Sequence, residues 1–143
     1  MAQAEQEKTY DVDAKKYFKA VSDYEHYPEF VDGMKSVKAE RGAAGEVTAH
    51  YELSMLSKDM SYDLKVHEDE AAGSVTWTLL KSDFFKVNNG AWKIESLGPD
   101  RCKVTYSLEV EFNFPVPGLI LKGLVKGTLP SMMKSFYERA KKL

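Results

Sequence analysis

One cysteine in 143 residues, Cys102, leaves no partner for a disulfide within the chain. A disulfide framework is excluded, and so low a thiol count suits a reducing compartment. Charge of either sign is scarce in excess: 20 Lys and Arg against 22 Asp and Glu leave a net charge of −2. There is no basic field of the kind that gathers nucleic acid, so nucleic acid is not an expected partner. No apolar run approaches the roughly 20 residues that a helix needs to cross a bilayer. Met1 to Lys8 is polar and lacks the apolar centre of a signal peptide, so a cytoplasmic location is expected. Internal repeats and low-complexity stretches are missing too. The three histidines are His26, His50 and His67, with no cysteine or carboxylate beside them at a spacing typical of metal ligands. No metal site and no cofactor are expected. Gly42 to Gly45 lacks the Lys-Ser/Thr ending of a phosphate loop.

What the chain has is apolar residues in periodic order. At 43% hydrophobic content, residues 1–143 are expected to form one domain with a sizeable core. Pro117 to Leu143 reads as one long helix, with Leu121, Leu124, Val125, Leu129, Met132, Met133, Phe136 and Ala140 on one stripe. Pro117 can open it, because the first helical residues need no amide donor. Pro130 should kink or split it. Gly123 and Gly127 each weaken it by about 1 kcal/mol relative to Ala. So wide a stripe needs a cover.

The preceding chain supplies one. A first strand runs from about Gln3 to Val12, and Asp13 is placed to cap a short helix with Ala14, Tyr17, Phe18 and Val21 on one face. Tyr24 to Phe30 forms a second short helical or turn segment, broken near Pro28. From Met34 to Arg41 the period becomes two. Four further alternating sets follow: Val47 to Met55, Met60 to Val66, Val75 to Leu79, and Val104 to Phe112. Between the last two, Val87 to Leu97 returns carrying Trp92 and Ile94. Turns are expected at Ser57–Asp59 and Gly98–Asp100, a charged loop at Glu68–Gly73, and a connection at Lys81–Lys86. Short connections between consecutive strands imply an antiparallel meander. The simplest arrangement is α+β, a strongly curved sheet gripping the long C-terminal helix.

Asp23-Tyr24-Glu25-His26-Tyr27-Pro28-Glu29-Phe30 resembles a known pattern: Asp, three variable residues, Tyr-Pro, a variable residue and Phe. It belongs to the polyketide cyclase / coenzyme Q-binding branch of the START-like (helix-grip, SRPBCC) superfamily. Gly90-Ala91-Trp92 is similar to the branch's Gly-x-Trp strand, and Cys102 to Phe112 to the strand after it. Phe136-Tyr137-Glu138-Arg139-Ala140 resembles the Phe-x-x-Arg-Ala end of the final helix. The likeness covers about Tyr10 to Lys142, and Pro115 to Gly127 departs from it by being richer in Gly and Pro. It implies a cavity between sheet and helix that holds an apolar molecule. Family members include quinone-binding proteins, aromatic polyketide cyclases, lipid carriers and RatA-type ribosome-association toxins.

Strand parity sends Glu52, Asp63, Lys65, Glu109 and Glu111 outward. The expected ligand-binding set is Tyr51, Leu53, Met55, Tyr62, Leu64, Trp77, Trp92, Tyr106 and Leu108 from the sheet, with Leu124, Val125, Leu129, Met132 and Met133 from the helix. Met55, Met60, Met132 and Met133 are read as a soft pocket wall, against ordinary core filling. Each tyrosine can orient a carbonyl or simply fill the core with its hydroxyl at the rim. With no inward carboxylate, His or Lys, proton transfer would rest on tyrosine, whose pKa near 10 makes a poor base at neutral pH. No catalytic residue is therefore assigned. The expected function is binding or transport of a hydrophobic small molecule: a quinone, a lipid or a polyketide-like compound. A polyketide cyclase/dehydratase and a ribosome- or respiratory-complex-associated interaction protein are the alternatives. His50 and His67, both outward on neighbouring strands, could form a surface pair, and Cys102 reads as small and partly buried. The apolar connection Phe112 to Leu121 and the pair Phe84-Phe85 leave two readings open. They are a lid, membrane portal or partner surface, or else loops packed on the sheet edge. Peripheral membrane or protein contact would run through Phe114 to Leu121.

Overall fold

Alternation between Met34 and Phe112 builds six consecutive antiparallel strands. They are β2 (Met34–Arg41), β3 (Glu46–Met55), β4 (Lys58–Asp69), β5 (Ser74–Ser82), β6 (Phe85–Gly98) and β7 (Arg101–Phe112). The computed structural model describes residues 2–55, 58–123 and 127–143. The first strand, β1 (Ala2–Tyr10), pairs antiparallel with β7, giving the order β1-β7-β6-β5-β4-β3-β2. Between β1 and β2 the chain passes from one edge of the sheet to the other through α1 (Ala14–Ser22) and a 3-10 turn (Tyr24–Glu29). Asp13 caps α1 as expected, its carboxylate accepting the Lys15 amide at 3.2 Å. The expected antiparallel meander and covering C-terminal helix are both present.

Three local expectations change. The C-terminal helix is described as two pieces, α2 (Gly118–Gly123) and α3 (Leu129–Ala140). Pro130 lies in the first turn of α3, directly after the π-helical residues Gly127 and Thr128, so the helical path is irregular beside it. Lys58 and Asp59 are strand residues facing Met55 and Ser54, because Asp59 is held by Lys35 at 2.8 Å and Ser54 at 2.7 Å. Phe85 begins β6 and is buried, so only Asp83 and Phe84 remain as the connection. Among the described residues no helix is long and apolar enough to cross a membrane.

The two motif fragments far apart in sequence are halves of one contact. The Tyr27 and Phe30 rings each meet Phe136 edge-on with centroids 5.0 Å away. The Tyr27 hydroxyl donates to the Val21 carbonyl at the end of α1. Arg139 lies over the Phe30 ring and within 4.0 Å of the carboxylates of Asp23 and Glu29. This packing clamps α3 to the 3-10 turn and leaves a space farther along the concave face.

Candidate functional site: an apolar cavity beneath the sheet

That space is a cavity of about 230 Å³ between the concave face of the sheet, the 3-10 turn and α3. A cavity of roughly 150 Å³ lined by aliphatic and aromatic groups holds benzene, so this one has room for a larger ring system. Ten of the expected site residues line it: Tyr51, Leu53, Tyr62, Leu64, Trp77, Trp92, Tyr106, Leu108, Leu129 and Met132. Met133 does not. It is fully buried, but on the side of α3 that meets α1, where its carbonyl accepts the Tyr17 hydroxyl at 3.0 Å. Met60 is core filling away from the cavity wall. Leu124, Val125 and the Met55 side chain lie outside the described residues.

Several lining residues escaped the sequence reading. Val66, Val75, Val110 and Phe112 share the parity of residues already named, and that parity would have found them. Tyr24, Tyr27, Val31 and Met34 come from the turn and the start of β2, where no period announces an inward side chain. Phe136 both clamps the turn and walls the cavity. Asn88 shares the parity of Trp92 and Ile94 and was passed over because it is polar.

The polar groups sort into two sets. The Tyr17, Tyr24 and Tyr27 hydroxyls are committed, to the Met133 carbonyl, Glu68 and the Val21 carbonyl. Those of Tyr51, Tyr62 and Tyr106 line the cavity with no hydrogen-bond partner among the described residues. The rings of Tyr51 and Tyr62 stack at 5.1 Å, and Tyr106 stands edge-on to Trp92 at 4.6 Å. Burial, with neighbouring tyrosines adding for Tyr51 and Tyr106, pushes all three phenols above their usual range. They are neutral donors at physiological pH and not bases. No charged side chain is among the described lining residues. The site can hold an apolar body and donate hydrogen bonds to it.

The raised phenol pKa values set a pH window. An unfolded tyrosine ionises near 10, while these three hold their protons beyond that. Above about pH 10 the unfolded chain therefore binds fewer protons than the native protein, and stability falls as pH rises. Absorbance at 295 nm should show Tyr51, Tyr62 and Tyr106 ionising only with unfolding. Loss of native titration amplitude below pH 10.5 in Tyr51→Phe would show instead that this phenol is wet.

Other candidates resolve as structural. His50 and His67 do not pair with each other. Each meets the carboxylate directly across the hairpin, Asp63 at 2.5 Å and Glu46 at 2.9 Å. Among the described residues no group of three metal-ligating side chains exists. Cys102 is fully buried, and burial together with Asp13 pushes its thiol up to about 11, the opposite of an activated nucleophile. In the connection after β7, Phe114 packs against Phe112 and Phe84 under the Lys58 ammonium, while Leu119 is 83% exposed.

Residues 10–137 match the family described as polyketide cyclase / dehydrase and lipid transport. The chain belongs to that family. The ribosome association toxin RatA of Escherichia coli K12 is 23% identical over 130 residues, covering 91% of this chain and 81% of RatA. A START superfamily protein from Mycobacterium smegmatis superposes with a TM-score of 0.84 at 22% identity, over 98% of this chain and 97% of that one. The Zhui aromatase/cyclase of Streptomyces sp. R1128 superposes with a TM-score of 0.85 at 11% identity, over 99% and 94% of the two chains. The fold is START-like, and family and fold together are those of hydrophobic-ligand-binding proteins. At such identities the structural likeness speaks for the fold and leaves the ligand open.

Proposed function

We propose that the protein binds a neutral, hydrophobic, ring- or chain-bearing molecule of the quinone, polyketide-like or lipid class, and holds it without converting it. The observation that carries this reading is the cavity wall itself. Among the described residues it is largely apolar and aromatic with no charged group, and its three unpartnered tyrosine hydroxyls are donors with raised pKa values. Catalysis by proton transfer would need a group poised near neutral pH, and none lines the cavity.

Native mass spectrometry of the protein purified from its own host tests the reading. The expected spectrum carries an added neutral mass that is absent from Leu129→Trp, where a larger ring fills the space behind α3. Tyr106→Phe should weaken retention about 2- to 10-fold, the worth of one net hydrogen bond. Turnover of a polyketide substrate that disappears in Tyr51→Phe, Tyr62→Phe or Tyr106→Phe would overturn the carrier in favour of a cyclase. If no apolar ligand is retained, the likeness to RatA and the exposed Leu119 and Ile120 favour a protein-interaction role.

A further inference from the structure

Asn88 is the buried polar side chain of the core, 6% exposed, and it lines the cavity. It stands in phase with Trp92 and Ile94 along an unbroken ladder, and a bulge before it brings Phe85 to the same face. Phe85 faces Phe112, Val87 faces Glu111 and Asn88 faces Val110, so Lys86 is the extra residue of a bulge. With Lys86 inserted, Phe85, Asn88, Gly90 and Trp92 all fall on the inner face.

Which end of the carboxamide meets the ligand follows from its neighbour. The Trp77 indole Nε1–H donates to Asn88 Oδ1 at 3.1 Å. Indole nitrogen only donates, so the group it meets must be the oxygen, and the amide orientation is decided. Trp77 is seated for this by Gly90, its partner across the ladder. A Cβ there would come within 2.7 Å of the indole ring. Asn88 Nδ2 is left with two N–H donors and no partner among the described residues. It is not among the fully enclosed unpartnered atoms, so it borders open space, and the cavity that Asn88 lines is where an acceptor would sit. That acceptor must be neutral. A carboxylate brought into this wall would find no cation among the described lining residues to compensate it.

Building on the hydrophobic-ligand reading above, we propose that Asn88 is the specificity-determining anchor of the cavity. It donates to the carbonyl oxygen of a neutral ring-bearing ligand. It thereby selects such ligands over hydrocarbons of the same shape and over carboxylic acids. Its place in phase with Trp92 and its bond from the Trp77 indole are the devices that aim it.

Three probes that differ in one group separate the possibilities: 2-acetonaphthone, 2-isopropenylnaphthalene, in which the carbonyl oxygen becomes a methylene, and 2-naphthoate. Binding to the full-length protein is read by calorimetry at pH 7. The ketone should bind roughly ten-fold more tightly than the alkene, with naphthoate the weakest. In Asn88→Leu the ratio of ketone to alkene should fall to about one. Because that variant also strands the Trp77 indole N–H, the wild-type protein supplies a second readout. The Asn88 side-chain amide signals in a ¹⁵N–¹H spectrum should shift on adding ketone and hold still on adding alkene. Equal affinities for ketone and alkene, an unmoved Asn88 signal at saturation, or tighter binding of naphthoate each overturn the anchor while leaving an apolar cavity in place. If none of the three binds, the hydrophobic-ligand reading falls and the anchor with it.

Discussion

Phe136→Ala is expected to cost about 3–5 kcal/mol of folding stability, the range for deleting a large buried ring. The phenyl ring is 2% exposed and its neighbours are aromatic on every side. Tyr27, Phe30 and Trp92 each stand 5.0 Å from it, all three edge-on. Tyr17 from α1 completes the surround at 6.5 Å. Three separate elements, α1, the 3-10 turn and β6, thus share one side chain, and none can close over the gap without giving up another contact. The ring also borders the ligand cavity, so the new void would merge with a space that already exists. Poor collapse places the cost toward the upper end of the range. Urea unfolding followed by far-ultraviolet circular dichroism measures it. A loss below 1 kcal/mol would show that α3 does not grip the sheet through this residue.

The second large effect is expected at a residue with no side chain. In Gly90→Ala the new Cβ would stand 2.2 Å from the Ser107 carbonyl oxygen and 2.7 Å from the Trp77 ring. The first of these neighbours is ladder backbone and cannot move without pulling β6 from β7. The second is the indole that holds Asn88. Overpacking of this kind costs about 1–3 kcal/mol, and stiff backbone on one side places Gly90→Ala at the high end. The relief available is a tilt of Trp77 away from Asn88, so the tryptophan emission of the folded protein should shift as well. Denaturant unfolding within 0.5 kcal/mol of wild type, with unchanged emission, would mean that β6 and β7 lie farther apart than described.

What was legible in the sequence is what alternation alone determines. Tyr51, Tyr62, Trp77, Trp92 and Tyr106 are separated by hairpins, yet parity within each strand brings them to one cavity. Parity fails wherever the ladder is interrupted. The extra residue Lys86 puts Phe85 out of step with Asn88, Trp92 and Ile94, which made Phe85 look like part of a loop. The 3-10 turn has no repeating face, so nothing in the order of residues announced that Tyr24 and Tyr27 reach the cavity. On α3 the apolar stripe is wide enough to serve two partners. Met132 faces the cavity and the adjacent Met133 faces α1, a division that helical spacing alone does not make.

The sheet does not close into a barrel, and its two outermost strands bear on how the molecule behaves in a crowded solution. An open strand edge offers unsatisfied amides and carbonyls to any other chain, the first step of ordered aggregation. Here β1 carries Glu5, Glu7 and Lys8, and β2 carries Lys35, Lys38, Glu40 and Arg41. Stacking a second copy along either edge would bring charged side chains to close spacing, which only a narrow set of registers could pair. The aromatic-rich interior strands, β5 to β7, are kept two or more places from the β2 edge, and β1 lies over β7 on the other side. Charged side chains along both edges thus let the fold keep a sticky, ligand-sized hollow without offering a flat apolar strand to its neighbours.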